Sequence, residues 1–306
     1  MEWEHQLLPN ELFDWRSFYN EYQVPYIIHF VFGLIEQTEP FSFVHYLSIF
    51  SAYVANPHVE TIYFHHHFEV YGPWWEKVVE DVPCLCIRHI DVPTHIGAKE
   101  IKKTAHKADK ARMDILWEMG GIYMDIDTIS NKPMKPFLMN ETTLCKQYSL
   151  GLTKNKEPIK YIGGICNAIM VTKPRSKFFA KWMESYEEAF DPDKWEEASI
   201  WLPLRLANEY SEDVNILEPE VFNVPGYWEA NRMFSEHYFE VPDSLVALHL
   251  CESKSKDYIK GITGWEWFLN NKSDLYGKMM EPCIEKGLCW IVRIVIIPWV
   301  LRWDSV

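Results

Sequence analysis

Length, composition and charge exclude several classes of protein. The chain has 306 residues, 48% of them apolar and 24% charged, so a folded core is expected and extended disorder is not. Its 30 Lys and Arg against 44 Asp and Glu give a net charge of −14 at pH 7. This balance excludes a general nucleic-acid binder, which needs a basic face. The length fits one large α/β unit or two domains of about 150 residues each.

The N-terminal residues and the cysteines bear on the cellular compartment. The sequence begins with acidic residues and no apolar run, so we expect neither a signal peptide nor an N-terminal anchor. Seven scattered cysteines favour a reduced compartment, although one or two disulfides remain open. No uncharged apolar stretch reaches the length of about 18 residues that a membrane-spanning helix needs. The expected location is cytoplasmic or peripheral to a membrane.

Apolar runs that predict strands alternate with helical periodicity in the first half of the chain. Strands are predicted at residues 26–32, 59–65, 85–90 and 122–127, and helices at 43–54 and 100–119. Gly120-Gly121 follows the second helix and predicts its end, because a C-terminal cap often needs a positive φ. The alternation favours a mostly parallel sheet with helices on both faces, in which ligands bind beyond the carboxyl ends of the strands.

The second half is less regular and carries no linker that would separate it from the first. Strands are predicted at residues 168–172, 214–217 and 245–250, and helices at 174–190 and 199–210. We therefore expect one domain over residues 1–306 with a C-terminal elaboration.

The pair Asp125 and Asp127 is the strongest chemical signal in the chain. It follows a helix, two glycines and an apolar strand without a break. On an extended backbone, side chains two residues apart point to the same side, so two carboxylates are expected together at the end of a buried strand. A divalent cation is their natural partner, because buried charge is unfavourable alone and hard cations take oxygen ligands. The pair therefore predicts a metal clamp for a diphosphate, although Asp-x-Asp by itself is a weak motif.

Asp109 and Arg112 lie three residues apart on the preceding helix and share one of its faces. Directed at the same edge of the sheet, they could hold a phosphate or ribose hydroxyls. The alternative is a surface ion pair worth about 0.3–0.5 kcal/mol, which we would prefer if the two aspartates were not nearby.

With these residues the sequence resembles a known family. The stretch KADKAR at 107–112, followed by GGIYMDID at 120–127, is similar to the core of the DXD-containing sugar-binding glycosyltransferases. That family includes α-1,6-mannosyltransferases, α-1,4-galactosyltransferases and, more distantly, the clostridial glucosylating toxins. Residues 28–33 also resemble its first strand, so the resemblance covers about residues 25–172.

The resemblance implies a fold, a cofactor and which parts of the chain bind the donor and the acceptor. The fold would be GT-A, a Rossmann-like α/β sandwich that binds a nucleotide sugar, with a C-terminal helical elaboration. The cofactor would be Mn²⁺ or Mg²⁺. Residues 25–172 would bind the nucleotide sugar, and residues 173–306 would form the acceptor side.

Site residues carry over from the family position by position. Asp125 and Asp127 match the pair that holds the metal and diphosphate, and His249 resembles a late histidine that would be a further metal ligand, with a satisfied core histidine as the equal alternative. The other matches are donor-binding positions. These are Phe30, Val31 and Phe32 on the first strand, Asp109 and Arg112 on the helix, Tyr123 beside the uridine ribose, and Asn167 near the transferred sugar.

Two of these positions differ from the family's pattern. Phe32 stands where the related toxins carry a tryptophan that stacks on uracil, and a phenyl ring could still stack there. Ala108 replaces a common serine, which removes one donor contact. Asp125, Asp127 and Arg112 would be the catalytic group, acting on the leaving diphosphate.

The predicted function is metal-dependent, retaining transfer of a hexose to a glycan, glycolipid or other hydroxyl acceptor. The donor would be a UDP-hexose or GDP-mannose, and no nucleic acid is expected as a partner. One alternative is a phosphotransferase of the haloacid-dehalogenase type with Asp125 as nucleophile, against which Ile129 and the depth of the pair in the chain both count. The other is a non-catalytic carbohydrate-binding protein with the same fold.

Two further features invite a functional interpretation. His65, His66 and His67 are consecutive and alternate between the faces of a strand, so we interpret them as ordinary strand-end histidines rather than a metal site. Residues 288–303 are very apolar with interspersed arginines and tryptophans, which resembles a peripheral membrane contact. A terminal element packed on the core is the alternative interpretation of that segment.

Overall fold

A computed structural model describes residues 22–194, 196–234, 241–271, 273–284 and 286. The strands in these residues are β1 (Ile27–Val31), β2 (Thr61–His66), β3 (Leu85–His89), β4 (His95–Ile96), β5 (Lys99–Glu100), β6 (Gly121–Met124), β7 (Thr128–Ser130), β8 (Thr142–Leu152), β9 (Pro158–Thr172), β10 (Asn215–Leu217) and β11 (Ala247–His249).

The helices lie mostly between these strands. They are α1 (Phe43–Ala55), α2 (Pro73–Asp81), α3 (Thr104–Met119), α4 (Lys177–Ala189), α5 (Leu202–Glu209), α6 (Ala230–Met233), α7 (Glu252–Ile259), α8 (Glu266–Asn270) and α9 (Leu275–Met279). A π-helical turn, Glu197–Trp201, leads directly into α5.

The described strands form a seven-stranded mixed sheet in the order β10-β8-β9-β6-β1-β2-β3. Strands β3, β2, β1 and β6 are parallel neighbours, whereas β9 runs antiparallel between β6 and β8. A separate two-stranded sheet pairs β7 with β11. The four parallel strands therefore end at one edge, and the loops after β1, β2, β3 and β6 all begin there.

Core packing shows that helices cover both faces of the sheet. Along β1 the side chains alternate, so Ile28 and Phe30 join a buried cluster with α1 and α2, while Val31 joins the cluster with α3, α4 and α5. Trp74 and Trp75 also pack in the core, each with its ring centroid 4.4 Å from that of a phenylalanine. The predicted α/β class is confirmed.

The helix before the glycine pair starts later than predicted. Residues Lys99–Glu100 pair with His95–Ile96 as a small antiparallel ladder, so α3 begins at Thr104 instead of residue 100. Its end agrees with the prediction, since Gly120 caps the helix at a φ of 62° and donates its N–H to Leu116 O at 2.9 Å. A Cβ on Gly120 would lie 2.6 Å from the nitrogen of Pro174, so the position also needs glycine for space.

Three further observations bear on the sequence predictions. The six cysteines within the described residues are all free thiols. Among the described helices, none is long and apolar enough to cross a bilayer. The apolar segment 288–303 and Cys289 lie outside the described residues.

Candidate active site

Asp125 and Asp127 lie in a turn where β6 ends, and this corrects the prediction that they share an extended strand. Asp125 N still donates to Ala168 O of β9 at 2.8 Å, but Thr128 N then donates back to Asp125 O at 3.1 Å and closes the turn. The Thr128 hydroxyl donates to the same carbonyl at 2.7 Å. The turn, not strand alternation, is therefore what brings the two carboxylates to one side of the chain.

Arg112 of α3 binds the Asp125 carboxylate inside the protein. Its Nη2 lies 3.1 Å from Asp125 Oδ1 and its Nη1 lies 3.3 Å from Oδ2, a two-point contact. The Tyr123 hydroxyl donates to Asp125 Oδ1 at 2.7 Å, and the guanidinium lies 4.7 Å from the centre of the Tyr123 ring. The Asp125 side chain is therefore fixed from two directions and only 22% exposed.

Asp109 and Asn167 extend this network toward β9. Asn167 Nδ2 donates to Asp109 Oδ1 at 2.7 Å, and Arg112 Nη1 donates to the Asn167 carbonyl at 2.8 Å. Arg112 Nη2 is also 3.6 Å from Asp109 Oδ1. Asp109 and Arg112 are thus a buried pair and not the surface ion pair that was the alternative.

Asp127 meets His249 because β7 and β11 pair in antiparallel register. His249 aligns with Thr128, the residue after Asp127, and Leu250 N donates to Asp127 O at 2.9 Å. His249 Nε2 then lies 3.3 Å from Asp127 Oδ1, while Glu252 N donates to Oδ2 at 2.7 Å. A histidine more than 120 positions along the chain is thereby joined to the aspartate pair.

The protonation states of these groups follow from the charges around them. Burial opposes the charged form of Arg112, but Asp125, Tyr123 and Asp109 outweigh burial and raise the pKa of the guanidinium above its ordinary value. Burial would raise the pKa of Asp127, yet His249 and the Glu252 N–H lower it to about 2. Burial lowers the pKa of His249, whereas Cys251 and Asp127 raise it, and the net result is well above the ordinary value.

The pKa of Asp109 is shifted in the opposite direction to that of Asp127. Burial raises its pKa, and the opposing effects of Arg112 and the Asn167 hydrogen bond do not fully offset it. Asp127 is therefore ionised at neutral pH, and the Arg112 guanidinium stays charged beside Asp125 and Asp109.

Asp125, Asp127 and His249 make up a donor set that fits a divalent cation. One carboxylate oxygen of each aspartate and one ring nitrogen of the histidine all lie within 4.8 Å of one another. Two carboxylates with an imidazole suit Mn²⁺, and the oxygens alone suit Mg²⁺. Without an ion the protonated imidazole of His249 balances the charge of Asp127. A bound cation would replace that proton, because a ligating imidazole must be neutral.

The residues of the first strand lie in different surroundings. Phe30 and Val31 are buried in the two core clusters, which leaves only their backbone for contact with a ligand. Phe32 is half-buried just beyond β1, with its ring centroid 5.1 Å from that of Phe41 and 5.2 Å from that of His45. One side of the Phe32 ring is thus packed and part of the side chain remains accessible.

Sequence reasoning missed several residues that surround the Asp127–His249 pair. His45 of α1 lies 3.1 Å from the Glu252 carboxylate. The thiols of Cys166 and Cys251 lie 3.9 and 3.6 Å from His249 Nδ1. These residues come from three distant segments, and no local motif identifies them.

The fold and this carboxylate, arginine and histidine site define a glycosyltransferase. A sequence profile described as "Glycosyltransferase sugar-binding region containing DXD motif" matches residues 51–144, which include Asp109, Arg112 and both turn aspartates. A fungal relative, glucan organizing enzyme 1 of Cryptococcus neoformans var. grubii, is 31% identical over 270 residues, covering 85% of this chain and 71% of that protein. The chain belongs to the DXD-containing sugar-binding glycosyltransferase family, and its α/β topology is accordingly of the GT-A class.

Two further matches are more distant. The human α-1,4-N-acetylglucosaminyltransferase is 25% identical over 216 residues, covering 64% of this chain and 56% of that enzyme. The structure of mouse xyloside xylosyltransferase 1 in its apo form has a TM-score of 0.47 at 11% identity, covering 73% of this chain and 96% of that one. The family assignment rests on the sequence matches.

Family membership settles the class of chemistry in coarse terms. The family generally binds a divalent metal, a nucleotide-sugar donor and a glycan acceptor. It does not favour the haloacid-dehalogenase alternative or the non-catalytic one. Asp125, the nucleophile of the first alternative, is moreover held by Arg112 and Tyr123.

Proposed function

We propose that the protein transfers a hexose from a nucleotide sugar to a hydroxyl group of a glycan or glycolipid, with retention of configuration and with Mn²⁺ or Mg²⁺ as cofactor. The donor is a UDP-hexose or GDP-mannose. The main observation that supports this proposal is the buried network in which Arg112 binds Asp125 and His249 Nε2 lies 3.3 Å from Asp127 Oδ1. It supplies both a place for a cation and a fixed positive charge at the edge of the sheet.

Each part of the network has a proposed role in releasing the diphosphate. Asp127, His249 and Asp125 hold the cation, which when bound neutralises the negative charge that grows on the leaving group. Arg112 keeps its charge throughout, because burial alone opposes it and three neighbours favour it. Its guanidinium orients Asp125 and adds positive potential where the donor phosphates lie.

The way the carboxylates of the site are engaged bears on which retaining route the enzyme would use. Asp109 is bound by Asn167 and Arg112, and Asp125 by Arg112 and Tyr123. Neither is free to act as a nucleophile on the sugar without breaking this network. A front-face route requires no protein nucleophile, since the acceptor hydroxyl can give its proton to the departing phosphate.

The remaining predicted residues divide between the sugar, the base and the support of Asp125. We assign Asn167 and Asp109 to contacts with sugar hydroxyls; the assignment is supported by their hydrogen-bonded pair next to Arg112. Tyr123 is buried with its hydroxyl bound to Asp125, so we assign it to orienting that carboxylate rather than to the predicted ribose contact. We assign the accessible part of Phe32 to stacking on the base. In this scheme residues 25–172 bind the donor and residues 173–306 contribute the acceptor side. The segment 288–303 would hold the protein at a membrane surface, next to a lipid-linked acceptor.

A donor screen tests the proposal. Purified protein is incubated with UDP-glucose, UDP-galactose, UDP-GlcNAc or GDP-mannose, with Mn²⁺, Mg²⁺ or EDTA, and release of UDP or GDP is measured. We expect one donor to be hydrolysed in the presence of a divalent cation and EDTA to abolish the reaction. UDP-GlcNAc is included because the human relative carries N-acetylglucosaminyltransferase in its name.

A matched pair of variants makes the screen specific. Asp127→Asn keeps the size of the side chain and removes its charge, whereas Asp257→Asn makes the same change on exposed α7, where Asp257 pairs with Lys260 at 2.7 Å. We expect hydrolysis to disappear in the first variant and to continue in the second. Cation-independent release, or equal activity in both variants, would contradict the proposal.

A further inference from the structure

A second group of metal-ligating side chains lies along the same sheet edge, where β2 and β3 end. His67, His89 and Asp91 each offer one ligand atom, and these atoms all lie within 4.8 Å of one another. His67 is half-buried, while His89 and Asp91 are exposed. The proposed catalytic chemistry uses none of the three.

The parallel register of β2 and β3 explains why these residues meet. His66 aligns with His89, and Ile90 N donates to His66 O at 2.8 Å, which continues the pairing beyond the strand ends. His67 follows His66 directly, and its ring centroid lies 5.0 Å from that of His89. Asp91 is two residues past His89, so both strand ends contribute to one cluster.

A backbone hydrogen bond sets the tautomer of His67. Its Nδ1 lies 3.0 Å from the Ile90 carbonyl oxygen, and because that oxygen only accepts, Nδ1 must carry the proton. Nε2 is then the nitrogen left with a free lone pair. Metal-binding histidines usually have this arrangement, in which the second nitrogen donates to a carbonyl and fixes the ring's orientation.

We propose that His67, His89 and Asp91 bind a divalent transition metal of the Zn²⁺ class, separately from the Asp125–Asp127–His249 site. Two imidazoles with one carboxylate favour Zn²⁺ over Mg²⁺, which prefers oxygen ligands. β3 is three strand positions from β6, so at about 4.8 Å per strand the two sites are roughly 14 Å apart. Three protein ligands and an exposed position leave a fourth coordination place open to water.

The bound ion would fasten the edge of the sheet to the segment that follows it. β3 is the edge strand, and residues 90–103 connect it to α3, which carries Asp109 and Arg112. A metal held by β2, β3 and Asp91 would therefore tie the start of this connection to the sheet. We expect the bound ion to raise the stability of the folded protein and to take no part in sugar transfer.

The test is Zn²⁺ titration of full-length protein that carries no histidine tag. In an Asp125→Asn/Asp127→Asn background, which disables the other site, calorimetry is expected to give one Zn²⁺ per chain. Adding His67→Ala or His89→Ala should remove that binding, whereas His95→Ala, at another exposed histidine, should leave it unchanged. Co²⁺ in place of Zn²⁺ should give the visible absorption of a low-coordinate site in the same variants.

Thermal unfolding gives a readout that does not depend on activity. At Zn²⁺ roughly 100-fold above the Kd, we expect the Tm of the otherwise unchanged protein to rise by about 5 °C. Asp91→Asn, the mildest of the changes, should reduce the rise and leave the fold intact by circular dichroism. Absence of Zn²⁺ binding, or Zn²⁺ binding that survives both histidine substitutions, would overturn the proposal.

Discussion

Two polar clusters are buried on neighbouring strands of this protein, and they avoid the penalty of burial in opposite ways. Around β6, the Arg112 guanidinium stays charged because it lies within 3.6 Å of the Asp109 and Asp125 carboxylates. Between β1 and β2, His29 Nδ1 lies 3.0 Å from His65 Nε2, and His29 Nε2 lies 2.8 Å from Gly120 O. Burial lowers the pKa of His29 to about 4, so this second cluster is neutral at physiological pH.

We interpret the difference as one between buried polar groups that serve chemistry and buried polar groups that serve structure. A charged cluster is retained where a charged ligand is to be bound, because a preformed guanidinium and carboxylates need not reorganise. The neutral cluster instead holds the carbonyl of Gly120, the residue directly before β6. His29 thereby fixes the start of the strand whose end carries Asp125, and so the neutral cluster supports the charged one.

Removing the metal-binding charge should give the largest effect. Asp127→Asn is expected to lower the transfer rate by roughly 10³-fold or more, since metal stabilisation of a leaving group is worth several kcal/mol. Initial rates with the donor identified in the screen measure this change. Retained turnover in a folded variant would contradict the proposed metal-binding role of Asp127, and with it the proposal that the charged groups at the end of β6 serve chemistry.

Removing the Arg112 guanidinium should lower the stability of the folded protein as well as its activity. Arg112→Met leaves Asp109 and Asp125 without their shared partner, and an uncompensated buried charge costs about 3–5 kcal/mol. Urea unfolding at pH 7.5 measures the loss. Arg175→Met is the control, because Arg175 makes an exposed ion pair with Glu118 at 3.3 Å. Equal stability of the two variants would contradict the role assigned to burial.

Local signals in the sequence were sufficient to predict the elements on which both clusters stand. The apolar run of β1, the periodicity of α3 and the positive φ of Gly120 each depend on neighbours within a few residues. The family resemblance favoured Arg112 and His249 as site residues, whereas the sequence pattern alone also allowed a surface ion pair and a core histidine. The structure places them within 3.3 Å of Asp125 and Asp127.

Long-range pairings were the part that the sequence did not reveal. The hairpin of β8 and β9 was predicted only at residues 168–172, because its outer half mixes lysines and glycines with apolar residues and gives no clean alternation. The turn at Asp125–Thr128 is set by Thr128 hydrogen bonds that an Asp-x-Asp pattern does not specify. His67 meets Asp91 only through the register of β2 with β3, so three consecutive histidines gave no hint of it.

Acid should destabilise the neutral cluster before the charged one. His29 has a folded-state pKa of about 4, against 6.5 when unfolded, so below pH 6.5 the unfolded chain takes up the proton first. Its stabilising contribution is complete above pH 6.5 and is lost as the pH falls toward 4, by about 3 kcal/mol. Urea unfolding between pH 7.5 and 4 measures the slope. His29→Gln should reduce the slope and leave the share of His65, whose pKa burial lowers to about 2, whereas the exposed His58→Gln should leave the slope unchanged.

Substitutions at Phe32 test whether its ring, which packs against Phe41, also stacks on the base of the bound nucleotide. Phe32→Ala is expected to weaken nucleotide binding by about 1–3 kcal/mol, the scale of base–aromatic stacking. Phe32→Leu keeps an apolar contact for Phe41 while removing the aromatic face, so it should weaken binding nearly as much. Calorimetry with UDP or GDP and Mn²⁺ gives the values. Full affinity in the leucine variant would mean that Phe32 serves only the core.

The smallest expected effect comes from an ion pair on the same helix as Arg112. Lys110 lies two positions before it and contacts Asp114 at 2.6 Å, but the two side chains are 30% and 45% exposed. Lys110→Ala should lower the free energy of unfolding by only about 0.3–0.5 kcal/mol, and added salt should erase the difference. Because the helix and the type of interaction are shared, the contrast with Arg112→Met isolates burial as the cause. If the lysine variant loses as much stability as the arginine variant, the loss does not come from the buried charge. It would then reflect the helix propensity of α3 or a general sensitivity of that helix to substitution.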